Sequence, residues 1–223
     1  MSQPDVPPVL HPVSVIGHEF IAPYPLEIKV EKHSKESLVI TDINNKIILK
    51  VKPCDSSFHR QRLLLDANDR PIVKLREKNL SEHKRWNIFR GESKANSDMI
   101  FSTKKEHTTQ TNIVCVNVYM ANKINSKGDC DFLVKGNWSK RSCTVYMGDS
   151  STSIAQMNAV QSLEKKKMEK DKFMVTIGPN VDYAFVVALF VILDAMKNSD
   201  TKEVVAGEVV GGVGDVLGAI ISS

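Results

Sequence analysis

At 223 residues, 42% hydrophobic and 25% charged, the chain is long enough for one sizeable core, and its composition excludes a collagen-like, coiled-coil or wholly disordered protein. A net charge of +4 is too small to announce a nucleic-acid binder. The charge is unevenly placed: residues 1–19 hold two acids and no base, residues 198–223 four acids and one base, and 20–197 keeps 29 bases against 20 acids, so its partners are expected to be acidic.

Six of the nine prolines fall in the first 25 residues, which denies that stretch helix and ladder hydrogen bonds and predicts an extended, disordered tail over 1–19. From about Phe20 to Lys197 the composition is even and contains no linker. Most of this region alternates with period two, the mark of half-buried strands. Leu26, Ile28 and Val30 alternate with Glu27, Lys29 and Glu31, and Ile47, Leu49 and Val51 with Ile48, Lys50 and Lys52. Similar runs lie at Leu38–Thr41, Gln61–Leu65, Ile72–Glu77, Trp86–Arg90, Met99–Lys104, Asn112–Met120, Asp131–Lys135, Cys143–Met147, Ser153–Met157 and Phe173–Ile177, giving 12 strands. Asn44-Asn45, Asn68-Asp69, Gly128-Asp129 and Gly148-Asp149 supply residues that tolerate positive φ, so strands joined there are antiparallel neighbours.

An internal echo supports the hairpins. The segments 42–52 and 66–76 align position by position at an offset of 24, and 148–157 repeats them faintly. Two good copies are too few for a stacked solenoid, so they are repeated hairpins of one sheet.

The pattern changes once. Tyr183–Leu193 is apolar without interruption, which predicts a helix over Val181–Lys197 with Asn180 as its N-cap and Asp182 in the first turn. At 1.5 Å per residue the run reaches about 16 Å, too short for a hydrocarbon layer of about 30 Å. A helix apolar on all sides must be surrounded by protein. Twelve strands and one such helix suggest a closed antiparallel barrel with the helix along its axis, because closure removes the exposed strand edges. The remainder, 198–223, is rich in Gly and Val and is expected to be a flexible tail, its glycines disfavouring helix.

The motifs Ala22-Pro-Tyr-Pro25, Leu38-Val-Ile-Thr-Asp42, Arg62-Leu-Leu-Leu-Asp66, Val73-Lys-Leu-Arg-Glu77, Arg85-Trp-Asn-Ile-Phe-Arg90, Val134-Lys-Gly-Asn-Trp138, Arg141-Ser-Cys143 and Pro179-Asn-Val-Asp-Tyr-Ala-Phe185 occur in this order. Together they resemble the plant LURP-one-related family. The resemblance covers about Phe20 to Lys197 and implies a tubby-like fold, a 12-stranded barrel around a C-terminal helix, distantly akin to tubby proteins and phospholipid scramblases. It also implies a link to plant defence without an assigned catalysis. Tubby proteins bind phosphoinositides on the barrel exterior, but these motifs are not their lipid-binding residues.

Signatures of catalysis are missing from the sequence: it contains no G-x-S-x-G, P-loop, H-E-x-x-H or EF-hand pattern. Cys54, Cys115, Cys130 and Cys143 form no C-x-x-C pair, and the six histidines are scattered, so neither a metal site nor a cofactor is expected. Trp86 and Trp138 sit beside basic residues, a pattern that suits base stacking but suits barrel packing better. Glu164–Lys172 reads as a charged loop between two strands. If Leu49, Val51, Val73 and Leu75 face inward, then Lys50, Lys52, Lys74, Arg76 and Lys78 face outward and form one positive patch if their strands lie close. This patch is the candidate lipid-binding site.

The expected protein is a non-enzymatic monomer, cytoplasmic and reaching the membrane periphery or the nucleus, that binds phosphoinositide or other acidic lipid as a regulatory module. The alternative is an interaction scaffold whose basic face takes an acidic protein and no lipid.

Overall fold

The computed structural model describes residues 11–34, 37–54, 60–78, 84–108, 113–122, 129–148, 151–161 and 168–211, with only the backbone described at 161, 168–170 and 198–211. A short pair, β1 (Ile21–Ala22) with β14 (Val181–Asp182), stands outside one closed barrel. The barrel runs β2 (Leu26–Lys32), β3 (Leu38–Asp42), β4 (Ile47–Pro53), β5 (Gln61–Asp66), β6 (Pro71–Glu77), β7 (Trp86–Arg90), β8 (Met99–Lys105), β9 (Val114–Met120), β10 (Phe132–Asn137), β11 (Ser142–Met147), β12 (Ser153–Gln161) and β13 (Met168–Ile177). Each strand pairs antiparallel with the next, and β13 returns to pair with β2, Val175 opposite Ile28. All 12 runs with period-two alternation are therefore barrel strands.

One strand, β13, outruns its hydrophobic pattern at its start. β13 begins at Met168, so the part of the expected 164–172 loop that is described is strand. There Lys172 lies opposite Glu31 of β2 and pairs with it at 3.3 Å. Cross-strand charge pairing and the ladder hold this stretch extended, neither of which requires apolar alternation. Residues 162–167 lie outside the described residues.

The 24-residue echo is a repeated turn. Asp42 accepts the N–H groups of Asn44 at 2.9 Å and Lys46 at 2.8 Å, and Asp66 accepts those of Asn68 at 2.8 Å and Arg70 at 2.9 Å. The residues that turn the chain, Asn45 (φ 61°) and Asp69 (φ 63°), are both left-handed, a conformation that Asn and Asp tolerate. A different constraint acts at Gly136 (φ 150°) in β10, where a Cβ would sit 2.2 Å from the Ser142 carbonyl oxygen of β11.

The helix α1 (Tyr183–Gly211) starts at the end of the barrel where β13 stops, and every residue from Ala184 to Met196 is buried. The inward residues of the wall pack on it: Phe185 meets Phe101 edge-on with centroids 5.2 Å apart and Phe132 at 4.8 Å, and Phe190 meets Phe173 at 6.3 Å. Trp86 and Trp138, 0% and 5% exposed, belong to this packing. The helix continues past Lys197, where the sequence pattern ends it. Once the buried part has formed the nucleus, only propagation is needed, and the described helix meets just two of the tail glycines, Gly207 and, at its last position, Gly211. Residues 212–223 lie outside the described residues.

The start of the helix differs from expectation in an informative way. Asp182, not Asn180, is the cap: its Oδ1 accepts the Phe185 N–H at 3.0 Å, while Asn180 is left-handed (φ 62°) and donates its N–H to the Ala22 carbonyl. The other oxygen of Asp182 accepts the N–H groups of Val15, Ile16 and Gly17 at 3.1, 2.7 and 3.1 Å. Val13 bridges Val181, and Val13 and Ile16 are 8% and 5% exposed. So residues 13–17 are not a disordered tail but part of the domain, closing the barrel end over the helix start. No proline lies between Pro12 and Pro23, which leaves these N–H donors available. Residues 1–10 lie outside the described residues.

Replacing Asp182 with Ala removes the cap and the acceptor of one buried and two part-buried N–H groups together, an expected loss of about 3 kcal/mol. The amides of Val15, Ile16 and Gly17 should lose their protection from hydrogen exchange in the same variant. Burial raises the pKa of Asp182 above the ordinary 3.8 despite its four N–H bonds. The folded state therefore holds this proton more tightly than the unfolded state. Its contribution to stability is full below the unfolded pKa and falls as pH rises through the folded value. Asp182→Asn, which cannot titrate, is expected to flatten the melting-temperature profile over that window.

Candidate functional site on the barrel wall

The wall formed by β4, β5 and β6 gathers the basic residues that alternation places outward. Leu49, Val51, Leu64, Val73 and Leu75 are buried inward, with 0%, 1%, 0%, 0% and 0% exposure. Lys50 and Lys52 then face out from β4, Gln61, Leu63 and Leu65 from β5, and Lys74 and Arg76 from β6. Lys52 stands opposite Leu63 and Leu63 opposite Lys74, so the two basic strands flank β5 at about 10 Å, twice the strand spacing. The two strands of the echo thus lie close in the wall. None of the outward positions described on these three strands carries a carboxylate.

The five cations are not equivalent. Lys50 Nζ lies 2.8 Å and Lys52 Nζ 2.7 Å from the two oxygens of Asp69, in the β5–β6 turn. Hydrogen bonds from Lys50 and then Lys52 lower the Asp69 pKa to about 2, so it stays ionised through the ordinary carboxylate range. Lys74 is only 7% exposed, because the turn after β7 folds back across the wall: Gly91 donates to the Ile72 carbonyl, and Lys74 Nζ bonds the carbonyl of Glu92. Phe89, opposite Lys74 on β7, is 2% exposed on this outer side. Arg76 is half-buried opposite Gln61, and Lys78, at the strand end, is exposed. Sequence reasoning missed both Asp69 and the covering turn at Gly91 and Glu92. The echo itself held a signal for Asp69, which the alignment places on Asn45, a turn position whose side chain can point back along the wall.

A second group of charges lies inside the barrel, at the end where the helix leaves. Asp194, 4% exposed, takes Lys32 Nζ at 2.9 Å on one oxygen and an Arg62 guanidinium nitrogen at 3.1 Å on the other. Arg62 also donates to the Val191 carbonyl at 3.4 Å. Arg141 stacks 4.4 Å from the Trp138 ring centroid and 5.0 Å from that of Phe173, where burial lowers its pKa and the Asp194 charge opposes the shift. Arg62 on an inward position is what a hydrophobic pattern cannot show.

Burial pushes the Cys143 thiol up to about 12, which keeps it protonated and unreactive. Among the described residues no group of His, Cys, Asp and Glu could hold a metal ion. Among them also, no helix is long and apolar enough to cross a membrane.

The LURP-one-related family profile matches residues 26–194, from the first residue of β2 to the buried carboxylate of the helix. The chain belongs to the LURP-one-related family. Protein LURP-one-related 10 of Arabidopsis thaliana is 37% identical over 195 residues, which cover 86% of this chain and 100% of that protein. Protein LURP-one-related 15 of the same plant is 38% identical over 190 residues, covering 83% of this chain and 87% of the relative. The X-ray structure of an Arabidopsis thaliana protein superposes with a TM-score of 0.66 at 36% identity, covering 82% of this chain and 98% of that one. The fold of this LURP-one-related chain is tubby-like, as its motifs and its barrel both indicate.

Proposed function

We propose that this LURP-one-related protein is a non-enzymatic regulatory module that docks on anionic lipid, phosphoinositides included, through the outer wall of β4–β6. Plant defence is the setting that the family resemblance implies. The observation that carries this reading is the wall itself: cations at the outward positions of two strands flanking β5, two of which, Lys50 and Lys52, hold the carboxylate of Asp69 from a turn. Each exposed cation near an anionic leaflet adds about 1 kcal/mol, so the expected binding is weak and salt-sensitive. The helix supports a non-catalytic role, since it occupies the space where a barrel would otherwise hold a substrate. An acidic protein segment is the second reading. The seat of Asp69 between Lys50 and Lys52 illustrates how a carboxylate from such a segment would be held.

Sedimentation with phosphoinositide-containing vesicles at low salt tests the lipid reading. Lys52→Glu combined with Arg76→Glu is expected to abolish binding and leave the melting temperature nearly unchanged. Asp69→Asn is expected to strengthen binding, because it removes the carboxylate that holds Lys50 and Lys52. Lys74 is a poor probe, since its bond to the Glu92 carbonyl makes any substitution a test of folding. Wild-type protein that ignores these vesicles yet captures an acidic peptide would favour the second reading.

A further inference from the structure

Among the described residues three large apolar side chains are exposed, Tyr24 at 61%, Ile43 at 67% and Ile47 at 39%. All three lie at the barrel end where the helix enters. Tyr24 sits in the connection from β1 to β2, Ile43 in the turn from β3 to β4, and Ile47 is the first residue of β4. β2 and β3 are neighbours, with Ile28 opposite Asp42, so the two connections leave the wall side by side. Lys29 of β2 braces the second of them, its Nζ 2.8 Å from the Asn45 side-chain oxygen in that turn.

The exposure of the isoleucines is not a requirement of the fold, and the molecule carries its own control. The twin turn at 66–70 makes the same bonds to its leading Asp, with the same left-handed residue, yet has Ala67 where the first turn has Ile43 and Pro71 where it has Ile47. An isolated exposed apolar residue needs no explanation, but three on neighbouring projecting connections form a patch. Lysines outnumber acids around it: Lys29 and Lys46 flank the tips and Lys50 and Lys52 follow on β4, against Glu27 on β2 and Asp69, which pairs with Lys50 and Lys52. The acid within the turn, Asp42, is directed into it by the N–H groups of Asn44 and Lys46.

Apolar tips with a Tyr beside them and lysines behind match the layered chemistry of a bilayer surface, acyl boundary below and anionic headgroups above. We propose that Ile43, Ile47 and Tyr24 insert into the interfacial layer of an anionic membrane, orienting the barrel with its helix-entry end toward the lipid. The proposal rests on the lipid reading above and adds to it a defined end of the molecule and an apolar contribution.

The test uses the full chain with vesicles of phosphatidylcholine alone and of phosphatidylcholine mixed with phosphatidylserine and phosphatidylinositol bisphosphate. Ile43→Ser with Ile47→Ser is expected to lower partitioning onto the anionic vesicles about tenfold, with an unchanged melting temperature. Fluorescence of an Ile43→Trp variant should be quenched by brominated lipid, whereas that of His33→Trp, on the exposed β2–β3 turn at the opposite end, should not. The native Trp86 and Trp138 are buried and supply a constant background. Wild-type binding with an equally bound double Ser variant and no quenching at position 43 overturns the insertion and leaves the wall as the lipid site. Absence of any vesicle binding by the wild type overturns both readings, a capture of acidic protein by these tips included in that outcome.

Discussion

Deleting residues 181–223 is expected to yield insoluble or unfolded protein, whereas deleting 198–223 should leave a soluble barrel that melts cooperatively. The first deletion removes Phe185, Val186, Val187, Leu189, Phe190, Val191, Ile192 and Leu193, each 2% exposed or less. Burial of each side chain contributes about 1.5–3 kcal/mol, so even the low end gives about 12 kcal/mol for the eight, an upper bound since the unfolded chain is partly compact. A whole domain is stable by about 5–15 kcal/mol, so the barrel without its axis has nothing left to hold it closed. The remaining wall would face an empty lumen lined by Phe101, Phe132 and Phe173. The second deletion cuts beyond Met196, the last buried residue described on the helix, and leaves the lumen filled. Near-ultraviolet circular dichroism and thermal melts of the two products decide the matter. A soluble, cooperatively melting 1–180 fragment would refute the helix as the core of the fold.

Asp194→Ala is expected to cost about 3–5 kcal/mol, because it leaves the buried guanidinium of Arg62 and the ammonium of Lys32 without the carboxylate that pairs them. In a domain of this size that is a fall in melting temperature on the order of 10 °C. Arg141 would lose the charge that opposes its desolvation, adding to the effect. The cost should be nearly independent of salt, since the side chains of Asp194 and Arg62 are 6% and 5% exposed and thus poorly screened. Asp194→Leu with Arg62→Met, an apolar pair of similar volume, should recover much of the stability lost by the single change. A single variant melting within a degree or two of wild type would mean that the interior ions contribute no more than a surface pair.

The barrel was legible because alternation is a local property of the chain. Ile28 and Val30, Leu49 and Val51, and Val73 and Leu75 announce an inward face two residues at a time, and turn residues such as Asn45 and Asp69 announce where each strand reverses. The central helix was legible for a complementary reason: eleven consecutive apolar residues fit neither a strand face nor a membrane span, so only the interior of a closed sheet could take them. What alternation could not supply is which side chains meet across the structure. The sequence presents Asp182 only as a first-turn acid, because its three further donors, Val15, Ile16 and Gly17, come from 165 to 167 residues away. The prolines near them pointed to a tail, although an extended segment without a ladder can still bury Val13 and give its N–H groups to a carboxylate.

The same limit applies to the basic wall. Sequence alternation determined that Lys50, Lys52, Lys74 and Arg76 share the outer face, and the repeat suggested that their strands are near. Only the tertiary structure decided that Asp69 sits between two of these cations and that the turn at Gly91 and Glu92 covers a third. It also decided that Arg62, on the inward parity of β5, meets Asp194 of the helix. Outward and inward are fixed by the two-residue period of an extended chain, which any short stretch reveals. Pairing between charges is fixed by register, closure and the path of the turns, which exist only once all 12 strands are in place.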